Sequence, residues 1–221
     1  MNKFILSFIH TPKVEVNGLI FHLDKDDAMN LSVFETFEPT EHALFQQEIK
    51  PGDTVIDIGS NIGYFTVHFS RLVGEKGQVH AFEPDPDNFA LLKKNLLENS
   101  CANVRGNLEA LSDTTGASKL YLSNEECVDH HLYSTGDDRK SIDVRTVSLD
   151  DYCHEHSSRI DFIKMDIQGA EPLAFAGMSE ILQVNSDVKL LTEYWPFGLD
   201  ASGSSGEAYL EILLAAGFEL H

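Results

Sequence analysis

A handful of acidic, amide and glycine residues in this chain of 221 residues have types and spacings that could do chemistry. The segment "VIDIGSNIGYFT", residues 55–66, ends a short apolar run in Asp57, then sets Gly59, Asn61 and Gly63 ahead of an apolar, helix-like pattern. Glycines at such a turn allow positive φ or a close backbone approach to a ligand, and the start of a helix presents unpaired N–H groups. Glu83 closes the next β-branched run, where a carboxylate can accept both hydroxyls of a ribose. An adenosine-bearing ligand lying across the turn would use both features. Farther along, Asp166, Glu171 and Glu193 fall at or just beyond the ends of later apolar runs.

Two ligand classes share this pattern, and local chemistry separates them. The pyrophosphate of a nicotinamide or flavin dinucleotide needs bare backbone in a G-x-G-x-x-G turn, where this chain has the side chains of Asn61 and Tyr64. Asp57 would repel a pyrophosphate but attract the amino group and sulfonium of S-adenosylmethionine. The residues therefore point to S-adenosylmethionine. An NAD-dependent oxidoreductase and a non-catalytic nucleoside-binding domain stand as rival readings.

These residues need a scaffold that gathers strand ends along one rim. From about residue 54 short β-branched runs alternate with amphipathic stretches, the pattern of an α/β fold with a mostly parallel central sheet and helices on both faces. "TVIDI" is the first core strand, and "IGYFTVHFSRLVG" a helix starting near Ile62 and stopped by Gly74. "QVHAFE" is the second strand. The helix in "DPDNFALLKKNLLENS" has a marked start, with Asp85 as cap, Pro86 at the first position and Asp87 at the positive dipole end.

The third strand falls in "NVRGNLEAL". The strand-like "SKLYLS" and "SIDVRTVSL" then form a β-excursion around a polar stretch holding His130 and His131, before "RIDFIKMD" resumes the core sheet. One helix through "EPLAFAGMSEILQ", a fifth strand in "DVKLLTEYW", a mobile loop "PFGLDASGSSG", a helix in "EAYLEILLAAG" and a strand beginning at "FELH" complete the reading. Residues 1–50 read as strands plus a helix from about Glu41, capped by Thr40 and packing on the core. Residues 51–221 read as the cofactor-binding domain, with the last strands truncated. The open sheet edge this leaves could be covered by a second copy, as a homodimer.

Composition narrows the partners. Thirty-six acidic against 16 basic side chains give a formal net charge of -20, which repels nucleic-acid phosphates and anionic lipid headgroups. The opening "MNKFILSFIH" is too short an apolar run for a signal peptide and reads as a β-strand, and no stretch approaches the ~20 apolar residues of a membrane span. Cys101, Cys127 and Cys153 are scattered and odd in number, which fits a cytoplasmic protein without a disulfide framework. "CHEH" at 153–156 and the His130–His131 pair lack a recognised metal spacing, so no metal site is expected.

The blocks "PGDTVIDIGSNIGYFT" (51–66), "VHAFEPDPDNFALLKKNL" (79–96), "EALSD" (109–113) and "IDFIKMDIQGAEPLAFAGM" (160–178) resemble the FkbM-type methyltransferases. The last block, with its D-I-Q-G-A-E core, is the most particular to that family. The resemblance implies a Rossmann-like class I methyltransferase fold, S-adenosylmethionine as methyl donor and, usually, O-methylation of a small molecule, sugar or polyketide. It further implies that Asp57, Gly59, Asn61 and Gly63 line the amino-acid portion of the cofactor, Glu83 the ribose, Leu111 the adenine, and that Asp166 faces the transfer centre. Gln168 stands where the family most often has an acid. An alcohol acceptor must lose a proton, and Asp166 is the first choice for that base, with Glu171 and Glu193 as the other candidates.

Overall fold

The computed structural model describes residues 12–34, 36–123, 129–134, 136, 138–156 and 159–221. The strand expected in the opening segment and Cys127 therefore lie outside the described residues. Five strands build the central sheet: β3 (Thr54–Ile58), β4 (Gln78–Phe82), β5 (Val104–Asn107), β9 (Phe162–Met165) and β10 (Lys189–Thr192). Their order is β10-β9-β3-β4-β5, with every pairing parallel. The chain runs outward from β3 through β4 to β5 and then returns to β9, so strand order reverses at β3. In open α/β sheets that reversal marks where a ligand binds.

Both faces of the sheet are covered, which is why β3 is buried at all five positions and reads as an apolar run. One face packs on α2 (Tyr64–Val73) and α3 (Pro86–Glu98), with Phe65, Phe69 and Leu92 meeting Val55, Val79 and Phe162. The other packs on α4 (Leu149–His156), α5 (Glu171–Ala176), α6 (Ser179–Val184) and α8 (Gly206–Ala215), with Ile56, Ile58 and Ile163 against Leu149, Phe175 and Tyr209.

Helix α3 starts as its sequence dictates: the Asp85 side chain accepts from the backbone N–H groups of Asp87 and Asn88, and Pro86 takes the first turn.

The amino-terminal part is a hairpin and a helix laid on this face. Strands β1 (Lys13–Val16) and β2 (Leu19–His22) are joined by Asn17 and Gly18, both at positive φ, the two-residue turn that suits strand twist. The fully buried Asn95 of α3 docks β2 by accepting from the His22 N–H (2.6 Å) and donating to the carbonyls of His22 (3.1 Å) and Ile62 (2.8 Å). Asn99 repeats the motif on Ile20. Helix α1 (Pro39–Glu48) follows, and its Phe45 packs edge-on against Phe65, Phe69 and Phe162.

Several boundaries differ from the sequence reading. Helix α1 begins at Pro39, behind a left-handed Glu38, rather than at Glu41 with a Thr40 cap. Helix α2 begins at Tyr64, because Asn61 and Gly63 take positive φ and hold Ile62 in the preceding turn.

The third strand divides into β5 and β6 (Ala110–Leu111), and β6 joins β7 (Gly116–Tyr121) and β8 (Ser141–Val147) in a separate sheet of order β6-β8-β7. The helix expected over "EPLAFAGMSEILQ" breaks at Gly177, where a Cβ would overlap the Ser112 carbonyl oxygen. The Gly/Ser-rich loop opens with α7 (Pro196–Ala201), whose Gly198 lies under the Trp195 ring. "FELH" forms no strand, and its Phe218 packs against Phe175 instead.

Candidate active site

The carboxyl end of β3 runs directly into the turn flagged by the sequence. Gly59 has φ 77, and a Cβ there would overlap the Asp166 carbonyl oxygen, so only glycine lets the loops after β3 and β9 close on each other. The N–H groups of Gly59 and Ser60 both donate to the Phe82 carbonyl, at 3.1 and 3.0 Å. These bonds fix the turn to the end of β4. Asn61, at φ 49, sends its backbone N–H to Glu83 Oε2 (2.8 Å), while the Asp85 N–H reaches Glu83 Oε1 (2.9 Å). Glu83 is thus aimed by two backbone donors, each oxygen keeping a lone pair for a further one. Burial pushes its carboxyl up to about 7, against the pull of those two N–H groups.

Asp57 is fully buried. Its Oδ2 accepts from the Thr66 hydroxyl at 2.6 Å, whereas Oδ1 has no hydrogen-bond partner among the described residues. Burial raises its pKa, and the Lys164 ammonium and the Thr66 bond oppose the rise. Lys164 is the cross-strand partner of Asp57 in the β3–β9 register, so the two side chains leave the sheet on one face. Its Nζ lies 3.4 Å from Asp166 Oδ2 and 5.4 Å from the centroid of the Phe65 ring. Burial works against that charge, but Asp166, Asp57, Glu41 and Glu38 outweigh it and hold the ammonium above the ordinary lysine range.

On the other side of the crevice, Gln168 adopts φ 56 and turns its amide between two acids. Nε2 donates to Asp166 Oδ1 (2.9 Å) and Glu193 Oε2 (3.1 Å). Burial pushes Glu193 up to about 8, helped by the charges of Asp166 and Glu171. Glu38 reaches about 8 as well, through burial and its neighbour Glu41. The β-excursion closes the rim: His130 and Leu132 line it, and the Tyr133 hydroxyl donates to the Gln168 carbonyl at 2.7 Å.

One crevice is therefore lined by Asp57, Gly59, Asn61, Glu83, Leu111, Asp166 and Glu193, as the sequence groups them. Gly63 lies beneath it, where a Cβ would press into the Leu92 side chain. Glu171 does not line the crevice: buried at 1% exposure, it accepts from the Ile167 N–H at 2.9 Å and braces the loop after β9, with a carboxyl that burial raises to about 7. Tyr64 faces inward at 0% exposure, against Phe21 and Phe37, and obstructs nothing in the crevice. Of the two side chains set against a pyrophosphate, only Asn61 is at the site. Tyr194 and Phe197 are exposed outside it.

Sequence reasoning passed over Lys164, Glu38 and the clamp made by Gln168. The available signal for Lys164 was a lone ammonium inside the otherwise apolar run "FIKMD".

An orphaned, fully buried carboxylate oxygen beside a glycine cradle fits a ligand that carries a hydrogen-bonding cation. Known proteins resemble this chain over most of its length. The Methyltransferase FkbM domain model matches residues 57–220. The 31-O-demethyl-FK506 methyltransferase FkbM of Streptomyces tacrolimicus is 28% identical over 202 residues, covering 78% of this chain and 76% of that protein. The 2-O-methyltransferase NoeI of Sinorhizobium fredii is 32% identical over 149 residues, 60% of each chain. Among solved structures, a Geobacter metallireducens precorrin-6y C5,15-methyltransferase aligns with TM-score 0.54 and 12% identity, over 90% of this chain and 78% of its own. Methyltransferase FkbM from Methylobacillus flagellatus aligns with TM-score 0.50 and 16% identity, over 80% of this chain and 44% of its own. At such identities these two show a shared fold.

Proposed function

The chain belongs to the FkbM methyltransferase family, and from that premise we propose that it moves a methyl group from S-adenosylmethionine to a hydroxyl of a small acceptor, a sugar or other natural product. Support for the donor comes chiefly from the Asp57 oxygen left without a partner beside Gly59, a place for the amino-acid portion of a cationic nucleoside. Asn61 and the turn to Gly63 shape the same end. Glu83, oriented by the Asn61 and Asp85 N–H groups, takes the ribose hydroxyls, and Leu111 packs on the adenine. Residues 51–221 carry most of this site, and Met29, Phe37 and Glu38 of the preceding segment add to its lining.

S-adenosylmethionine supplies an already activated methyl group, so the protein's task is to align an acceptor oxygen and remove its proton. Asp166 and Glu193, at the ends of β9 and β10, stand on the acceptor side and furnish the carboxylates for this. Names of relatives favour oxygen as the acceptor atom, since the NoeI and FkbM proteins are both described as acting at a numbered O position. A small acceptor is favoured over a polyanion by the net charge of -20.

Thermal denaturation tests the donor. S-adenosylhomocysteine at ~100 times its Kd should contribute ~2.7 kcal/mol, a rise of roughly 5–10 °C for a chain of this size. NAD should give none, and a rise with NAD alone would overturn the assignment.

A further inference from the structure

We propose that His130 of the β-excursion reads the adenine ring of the donor, its Nε2–H donating to a ring nitrogen beside an apolar wall of Ala110, Leu120 and Leu132. This rests on the donor reading above.

Backbone pairing places these side chains. Tyr121, the last residue of β7, gives its N–H to the His131 carbonyl at 2.8 Å and accepts from the His131 N–H at 3.0 Å. In such an antiparallel bridge the residues flanking each partner point to the opposite face. Leu120, His130 and Leu132 therefore share one face, and all three line the crevice while Tyr121 and His131 do not. Ala110 joins them, because it stands opposite Thr146 of β8 as Leu120 stands opposite Ile142, four positions and so an even step away. Beyond His130 the segment is tied down again, where the Tyr133 hydroxyl donates to the Gln168 carbonyl.

The His130 ring has one nitrogen committed and one available. Nδ1 accepts from the Ser123 N–H at 3.0 Å, which leaves the proton of the neutral ring on Nε2. Nε2 lies 3.9 Å from Asp85 Oδ2, beyond hydrogen-bond range, and meets no nearer acceptor among the described residues. The side chain is only 14% exposed, so an N–H donor waits there with little access to water.

Its position identifies the part of the ligand it meets. The Asp85 N–H donates to Glu83 Oε1 at 2.9 Å, so His130 stands beside the pair that grips the ribose, where the attached base must lie. An apolar wall accepts the flat ring, and a lone donor in it needs an acceptor opposite. Adenine offers its ring nitrogens as acceptors, whereas its exocyclic amine is a donor and would oppose the Nε2–H. The excursion thus takes a direct part in selecting the base.

Calorimetry with S-adenosylhomocysteine and its 1-deaza, 3-deaza and 7-deaza forms tests this and needs no acceptor. The form whose carbon meets the Nε2–H should bind the native chain roughly 5- to 100-fold more weakly than the parent. His130→Ala should remove that deficit, binding the parent and this form alike, with melting curves to establish that it is folded. A histidine that only shaped the loop would weaken all four compounds together and leave the deficit in place. That result, or a native chain that binds all four alike, would overturn the inference alone. Failure of the native chain to bind any of them would overturn the donor reading along with it.

Discussion

Replacing Lys164 by methionine should destabilise the protein in a strongly pH-dependent way. The substitution keeps an unbranched chain over the Phe65 ring and removes the ammonium, whose side chain is 4% exposed. What it leaves behind decides the cost. Asp57, fully buried and with one oxygen already unpartnered, loses the cation in the neighbouring strand. Asp166 loses less, because its side chain is 31% exposed and water replaces part of the interaction.

Removing one member of a buried ion pair costs about 3–5 kcal/mol, which at roughly 2–4 °C per kcal/mol lowers Tm by roughly 6–20 °C. Asp57 already has a folded-state pKa above its ordinary value, and losing Lys164 raises it further. The folded variant then binds this proton more tightly than the unfolded chain, so its stability falls as pH rises above the ordinary carboxylate range of about 4. Melting curves should show a gap to the native protein that is small at pH 5 and wide at pH 8. A gap of equal size at both, or a variant as stable as the native chain at pH 8, would refute the charge pairing.

Two further substitutions test other parts of the structure. Glu83→Gln sets an amide NH₂ against the N–H of either Asn61 or Asp85, both of which now donate to the carboxylate; loss of charge-assisted bonds worth about 1.5–3 kcal/mol should weaken S-adenosylhomocysteine binding by roughly 10- to 100-fold in calorimetry, and an unchanged Kd in the folded variant would place the ribose elsewhere. Asn95→Ala leaves both backbone groups of His22 and the Ile62 carbonyl without this partner, and denaturant unfolding should register a loss of about 2–4 kcal/mol; a loss below about 1 kcal/mol would mean that the hairpin is held by its apolar contacts alone.

The parts of this fold that the sequence announces are those whose causes are local. Helix α3 starts where Asp85 and Pro86 put it, because both act on backbone within a turn of themselves. The central strands β3 and β9 are legible because burial on two faces demands mostly apolar side chains, interrupted there by Thr54, Asp57 and Lys164. Gly177 shows the opposite case. It ends α5 because the Ser112 carbonyl comes too close for a side chain, a constraint set from 65 positions away and invisible in the helix-like run around it. Tyr64 is similar: its spacing after Gly63 suggests a residue at the ligand turn, but the first turn of α2 points it into the core beneath the β1–β2 hairpin.

For the crevice, residue identity was legible and residue state was not. Asp57, Gly59, Glu83 and Asp166 are marked by position, since strand ends in a parallel sheet must share one rim. Whether each acid carries charge depends on what else reaches that rim. Lys164 arrives from β9, Glu38 from the segment before α1, Gln168 from the loop after β9, and Tyr133 from the β-excursion. None is near Glu193 or Asp57 in sequence except through the sheet order. Two carboxylates that look interchangeable in the string thus become unlike groups: Asp166, held by an ammonium and an amide, and Glu193, half-buried among acids and held by the same amide and by Asp166 itself. That difference arises only when the third dimension brings the Lys164 ammonium within 3.4 Å of Asp166 and sets the Gln168 amide between the two acids.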